Sequence, residues 1–122
     1  FNQYRGILTG AIAALTGDQI GVQQTVATFK QRRDAFIGAL HRIGWQVPTP
    51  AATMYVWAQL PAPWQQNSVE FCTRLVAATG VAASPGAGFG KSGEGYVRFA
   101  LVHDPDILAT AVERMSVFLQ SN

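Results

Sequence analysis

The chain has 122 residues, 48% of them hydrophobic, which allows one domain with a modest core. Its formal net charge is +2, but the basic residues are scattered, so nucleic-acid binding has little support. A single cysteine excludes an internal disulfide and favours a reducing, cytoplasmic environment. No apolar run reaches membrane-spanning length. Because the sequence opens on Phe1 without a methionine, we interpret it as part of a longer protein.

Apolar spacing predicts two helices in the first third of the chain. Residues 3–15 form the first, and residues 16–19 fit a capping box, with Thr16 as the cap of a second helix. That helix runs over residues 19–43 as one long amphipathic element ended by Gly44. Three basic residues are expected on its solvated side: Lys30, Arg32 and Arg33.

After Gly44 the spacing of apolar residues changes from that of helices to the alternation typical of strands. Residues 45–47 predict a short strand closed by Pro48, and residues 54–60 alternate as a second strand. Asn67 or Ser68 caps a helix that stops at Gly80.

Two more strands and a helix complete the predicted order. The strands cover residues 81–84 and 96–101, and the helix begins at Asp104-Pro105-Asp106. The sequence therefore predicts a small two-layer α+β domain, with helices packed on a mainly antiparallel sheet.

Arg98 places a charge inside a segment that otherwise predicts a buried strand. Alternation puts it on one face with Tyr96 and away from Val97 and Phe99. A guanidinium there costs much desolvation unless a carboxylate or phosphate meets it. We interpret Arg98 as a ligand-holding residue. The alternative is an internal salt bridge, with Glu94 or Asp104 as the partner.

A glycine-rich loop over residues 85–95 precedes this strand. Residues 88–93 satisfy G-x-G-x-x-G, and Gly90-Lys91-Ser92 imitates the end of a P-loop. Both nucleotide motifs must open a helix, whereas a strand follows here. A turn with several glycines at positive φ, able to approach a small ligand closely, fits the loop better.

A series of short motifs runs along nearly the whole chain: Arg32-Arg33-Asp34, Gly44-Trp45, Pro50, Met54-Tyr55-Val56-Trp57, Gly80-Val81, Pro85-Gly86, Phe89-Gly90, Gly93-Glu94-Gly95-Tyr96-Val97-Arg98 and Glu113-Arg114. Their order and spacing resemble the C-terminal part of class I/II pyridoxal-phosphate-dependent aminotransferases. The resemblance is closest to the aspartate and LL-diaminopimelate aminotransferase-like branch.

The resemblance implies a domain organisation and a role for Arg98, and it leaves Phe89 and the strand residue Tyr55 as further substrate-binding candidates. Residues 1–18 would be a helix and linker toward a missing large domain, and residues 19–122 the small domain of fold-type I transferases. The family's arginine in the G-Y-V-R strand grips the substrate α-carboxylate, which assigns that role to Arg98. Phe89 resembles a position near the substrate, although packing as a lid over the core explains it equally well. Tyr55 could face the site or only pack.

The family binds pyridoxal 5'-phosphate as a Schiff base on a lysine in a Ser-x-x-Lys context upstream of the matched region. Lys30 and Lys91 are the only lysines here, and neither has that context. The resemblance thus implies an amino-acid and 2-oxo-acid transaminase, usually homodimeric, whose catalytic and cofactor-binding residues are missing from this chain. We expect the chain alone to be inactive.

Two other functions remain open, and no metal site is predicted. A free-standing regulatory module could bind an amino acid through Arg98, and it would have a closed hydrophobic surface. The aminotransferase interpretation instead predicts an exposed apolar patch on the first helix and the start of the second. A purely structural domain would give Arg98 an internal carboxylate partner. Neither His41, His103 nor Cys72 has a second metal ligand at useful spacing.

Overall fold

A computed structural model describes residues 3–121 of the chain. Residues 1 and 2 of the predicted 1–18 segment, and residue 122 of the 19–122 unit, lie outside this range. The α-helices are α1 (Arg5–Thr16), α2 (Ile20–Arg42), α3 (Ser68–Thr79) and α4 (Pro105–Gln120). The strands are β1 (Tyr55–Gln59), β2 (Ser84–Pro85) and β3 (Tyr96–Ala100). The predicted small α+β fold is confirmed.

The strands form one antiparallel sheet in the order β1-β3-β2. Val56, Ala58, Val97 and Phe99 are buried on its inner face, in the predicted alternation. Helix α4 packs against both α2 and α3, the latter two contact β3, and aromatic rings fill the core that the helices share with the sheet. The opposite face of the sheet is therefore left for a site.

The start of α2 differs from the predicted capping box. Thr16 is still helical, and its hydroxyl donates to the Ile12 carbonyl at 2.8 Å. Gln19 donates its side-chain amide to carbonyls at the end of α1. Asp18 instead provides the acceptor for a free N–H group at the start of α2, because its Oδ1 accepts from the Ile20 N–H at 2.9 Å.

Gly44 ends α2 as predicted, with a φ of 87°. The predicted strand over residues 45–47 is wrong, since this segment has no regular structure. The Val47 carbonyl accepts from the His41 ring Nε2 at 2.8 Å, and Pro48 has no N–H for a strand partner.

The predicted strand over residues 81–84 is mostly wrong as well. Asn67 caps α3 and Gly80 ends it at a φ of 73°, as predicted, but only Ser84 of the predicted strand is in β2. The Val81 N–H donates to the Thr79 hydroxyl at 3.1 Å, so it is engaged with the helix end rather than with β3. The neighbouring Pro85 has no N–H with which to lengthen the ladder.

The basic residues of α2 are not all solvated, which corrects a further expectation. Lys30 is exposed, but the Arg32 and Arg33 side chains are only 19% and 21% exposed. Arg32 Nη2 donates to Asp104 Oδ1 at 2.9 Å and so ties α2 to the N-cap of α4. Arg33 donates to Asp34 and to the Pro50 carbonyl.

Helix α1 contributes no buried residue. Large apolar side chains are exposed along it and along the start of α2: Tyr4, Ile7, Leu8, Ile12, Leu15, Ile20, Val22 and Val26. We call this set the α1–α2 patch. It has the position expected for a surface that meets a further domain, and it disagrees with the closed surface of a free-standing module. No helix within residues 3–121 has the length and apolarity to cross a membrane.

Candidate functional site

Arg98 lies at the centre of the sheet's outer face. In the strand register it stands opposite Trp57 of β1 on one side and Ser84 of β2 on the other. Its neighbours along β3, Val97 and Phe99, are buried on the inner face, whereas Arg98 is half-buried. The predicted placement of this charge is confirmed.

Two aromatic rings hold the Arg98 guanidinium. Its Cζ lies 4.2 Å from the centroid of the Tyr55 ring and 4.6 Å from that of Phe89. A guanidinium suits such contacts because it is planar and weakly hydrated. The structure thus brings together Arg98, Tyr55 and Phe89, the three residues that were singled out from the sequence.

No carboxylate within residues 3–121 forms an ion pair with Arg98. Asp104 is paired with Arg32, and Glu94 accepts backbone N–H groups instead. Arg98 donates one long hydrogen bond, from Nη2 to Ser84 Oγ at 3.4 Å. The internal salt bridge considered from the sequence is therefore wrong, and the guanidinium fork keeps donors for an external acceptor.

A groove of about 670 Å³ runs along this face beside Arg98. Trp57 and Tyr96 stack with their ring centroids 5.5 Å apart, and Trp57 also meets the Phe89 ring edge-on at 5.5 Å. Trp57, Tyr96 and Ser84 were not predicted as site residues. The period-two alternation along the strand of Arg98 was the signal that could have found Tyr96, whereas Trp57 and Ser84 lie on other strands and required the sheet register.

The glycine-rich loop folds into two short 3₁₀ turns, Gly86–Phe89 and Lys91–Gly93. Strand β3 follows it, so the geometry of a phosphate-binding helix N-terminus is not formed there. Gly90 and Gly95 have φ values of 113° and 83°, as the predicted turn requires. The loop carries Phe89 to the sheet face, where the ring is 51% exposed and covers Arg98.

The groove fits a carboxylate but offers no lysine to a pyridoxal cofactor. Lys30 and Lys91 are exposed, and neither is among the residues that line the groove. Cys72 is buried, and burial raises the pKa of its thiol to about 11, so it is no ready nucleophile. Within residues 3–121 no cluster of histidine, cysteine and acidic side chains could hold a metal ion.

Residues 6–115 match the family model described as aminotransferase class I and II. The whole chain is 37% identical to a glutamate–pyruvate aminotransferase of Escherichia coli, of which it covers 30%. Over 108 residues, 88% of the chain, it is 41% identical to an LL-diaminopimelate aminotransferase of Dehalococcoides mccartyi, covering 27% of that protein. The chain thus spans less than a third of these relatives.

Solved structures agree with the sequence comparison. A probable N-succinyldiaminopimelate aminotransferase of Thermus thermophilus superposes with a TM-score of 0.81 at 37% identity, over 96% of this chain and 31% of that one. Alanine aminotransferase of Pyrococcus furiosus gives a TM-score of 0.83 at 28% identity, over 92% of this chain and 29% of that one. This chain belongs to the class I and II aminotransferase family.

Proposed function

We propose that this chain is the C-terminal part of a pyridoxal-phosphate-dependent aminotransferase that transfers an amino group between an amino acid and a 2-oxo acid. Residues 19–122 are its small domain, and residues 1–18 are the helix and linker that lead to a large domain. The exposed α1–α2 patch supports this division, because an apolar surface of this kind is covered in an assembled protein.

Arg98 binds the α-carboxylate of the substrate in this proposal. The observation that carries it is the half-buried guanidinium with no carboxylate partner among residues 3–121, held between the rings of Tyr55 and Phe89. A planar fork donates two parallel charge-assisted hydrogen bonds to a carboxylate, which fixes its distance and its orientation. The two aromatic residues limit water around this pair and restrain the guanidinium plane.

Orientation is what the reaction needs from these residues. Pyridoxal phosphate, when bound, supplies the electron sink for the bond broken at the substrate Cα. By anchoring the carboxylate, Arg98 sets the angle at which the Cα–H bond stands to the reacting centre. The cofactor's lysine and phosphate contacts belong to the longer protein, since neither Lys30 nor Lys91 lines the groove.

A homodimeric assembly and a cytoplasmic location are also part of the proposal, and they rest on the family resemblance. The unpaired, buried Cys72 is compatible with a reducing compartment. The activities for which these relatives are named suggest glutamate, alanine and diaminopimelate as amino donors to try first.

The test is Arg98→Lys in the full-length enzyme, which keeps the charge and removes the fork. We expect kcat/KM for amino acids to fall about a hundredfold, about 3 kcal/mol, because a bidentate charge-assisted pair is lost. Cofactor content should be unchanged. Amines without a carboxylate are the control, since they never used the fork and should lose little.

Two outcomes would reject the assignment. The first is an unchanged kcat/KM for amino acids in Arg98→Lys. The second is an equal loss for amines without a carboxylate. Either result would make Arg98 a residue of the sheet's own packing.

A further inference from the structure

Ser68 is the one buried polar side chain among residues 3–121, with 0% of its surface exposed. It is the first residue of α3 and contacts the glycine-rich loop, which leads along the chain into the strand of Arg98. A buried hydroxyl needs hydrogen-bond partners, and those of Ser68 connect α3 to the loop.

Two hydrogen bonds form this connection, and a third lies within the loop. The Ser68 N–H donates to Glu94 Oε1 at 2.7 Å, and the Gly95 N–H donates to the same oxygen at 3.0 Å. The Ala87 N–H donates to Ser68 Oγ at 3.2 Å. The Ser68 and Gly95 backbone bonds lower the pKa of Glu94, and a bond from the Ser68 hydroxyl adds to this. We call these contacts of Glu94, Ser68 and Ala87 the loop clasp.

The clasp acts on a loop that is already tightly folded. A Cβ on Gly86 would overlap the Gly93 carbonyl, and a Cβ on Gly93 would overlap the Gly86 carbonyl, so the two backbones touch. Ala87 is two residues before Phe89 within the same 3₁₀ turn. Fixing Ala87 therefore fixes the base from which the Phe89 ring reaches Arg98.

We infer that Glu94 is a positioning residue for the substrate carboxylate site: through Ser68 and Ala87 it holds Phe89 against Arg98. The inference rests on the proposed function and extends it to a residue that does not touch the guanidinium. Glu94 accepts from Ser68 at the start of α3 and from Gly95 at the end of the loop, and Ser68 Oγ in turn accepts from Ala87 near the start of the loop. Without it the Phe89 ring is free to leave Arg98, and the fork loses its fixed plane.

The experiment uses the full-length enzyme with Glu94→Ala and, as a milder change, Ser68→Ala. Each should raise KM for the best amino-acid donor about tenfold, with a smaller change in kcat, because a displaced binding group weakens substrate positioning. KM for an amine without a carboxylate should not change. Glu94→Gln should recover most of the loss, since its amide oxygen can accept the same N–H groups.

Asn67→Ala is the matched control. Asn67 caps the same helix by accepting from the Glu70 N–H at 3.2 Å, and its side chain also donates to the Glu70 carboxylate rather than to the loop. It should lower thermal stability as the clasp variants do and leave KM unchanged. A second readout is hydrogen exchange at the Ala87 amide, which should quicken about tenfold in the clasp variants alone.

The results separate this inference from the proposed function. If Arg98→Lys shows the carboxylate-selective loss but the clasp variants match Asn67→Ala in KM, Glu94 is only a helix cap and the inference is wrong. An equal rise in KM for amines without a carboxylate also overturns it. If Arg98→Lys shows no selective loss, the proposed function fails first, whatever the Ala87 amide does.

Discussion

The Arg98 guanidinium lies over the Tyr55 ring, with 4.2 Å between Cζ and the ring centroid. The strand register explains this contact. Tyr55 pairs with Ala100 and Trp57 pairs with Arg98, so Tyr55 and Arg98 are diagonal neighbours on the outer face of the sheet. Because both side chains come from paired strands, the sheet register fixes the spacing of the two backbone positions from which they extend.

Removing the Tyr55 ring should weaken carboxylate binding. We expect Tyr55→Leu in the full-length enzyme to raise KM for amino acids about fivefold, the equivalent of about 1 kcal/mol of cation–π contact. Tyr55→Phe keeps the ring and should lose less. Steady-state kinetics of both variants decide this, and a larger loss in Tyr55→Phe would show that the hydroxyl, not the ring, matters.

Substitution by alanine should affect stability differently at Gly86 and Gly88, which lie in the same 3₁₀ turn. Gly86→Ala should destabilise the chain by about 3 kcal/mol, because its Cβ would overlap the Gly93 carbonyl and lie 2.6 Å from the Tyr96 carbonyl oxygen. Gly88→Ala should change stability by less than about 0.5 kcal/mol, since a Cβ there meets no atom within 4 Å. Urea unfolding of both variants compares them, and equal midpoints would disprove the tight fold of the loop.

Acid should remove the stabilisation that Glu94 gives. Hydrogen bonds from the Ser68 and Gly95 N–H groups lower its folded-state pKa, so its contribution is complete above the unfolded value of about 4.3 and is lost as pH falls through the folded value. At about pH 7 we expect Glu94→Gln to be less stable than the wild type. The gap in unfolding midpoints should close toward about pH 3, and a gap that stays constant with pH would contradict this.

The sequence predicted those structural features that are determined by residues close together in the chain. Asn67 and Gly80 mark the ends of α3 because a cap and a left-handed residue act within one turn. The burial of Val97 and Phe99 opposite Arg98 follows from the period of a strand. The family's G-Y-V-R motif then gave Arg98 its expected role.

The features that sequence reasoning missed depend on partners distant in the chain. Residues 45–47 carry strand-forming side chains, but the Val47 carbonyl is taken by His41 and a proline follows. Arg32 faces Asp104 across 72 positions, which no local period can reveal. The place of Trp57 beside Arg98 required the register between β1 and β3.

Helix α1 has 12 residues and buries none of them. Helices shorter than about 12–15 residues are marginal in water, because nucleation is costly and few hydrogen bonds repay it. The helical state of α1 therefore depends on whatever covers Ile7, Ile12 and Leu15, whereas α2, α3 and α4 are held by the common core. We therefore expect α1 to melt before the sheet when the chain is heated, and far-ultraviolet circular dichroism would record this as an early loss of helical ellipticity.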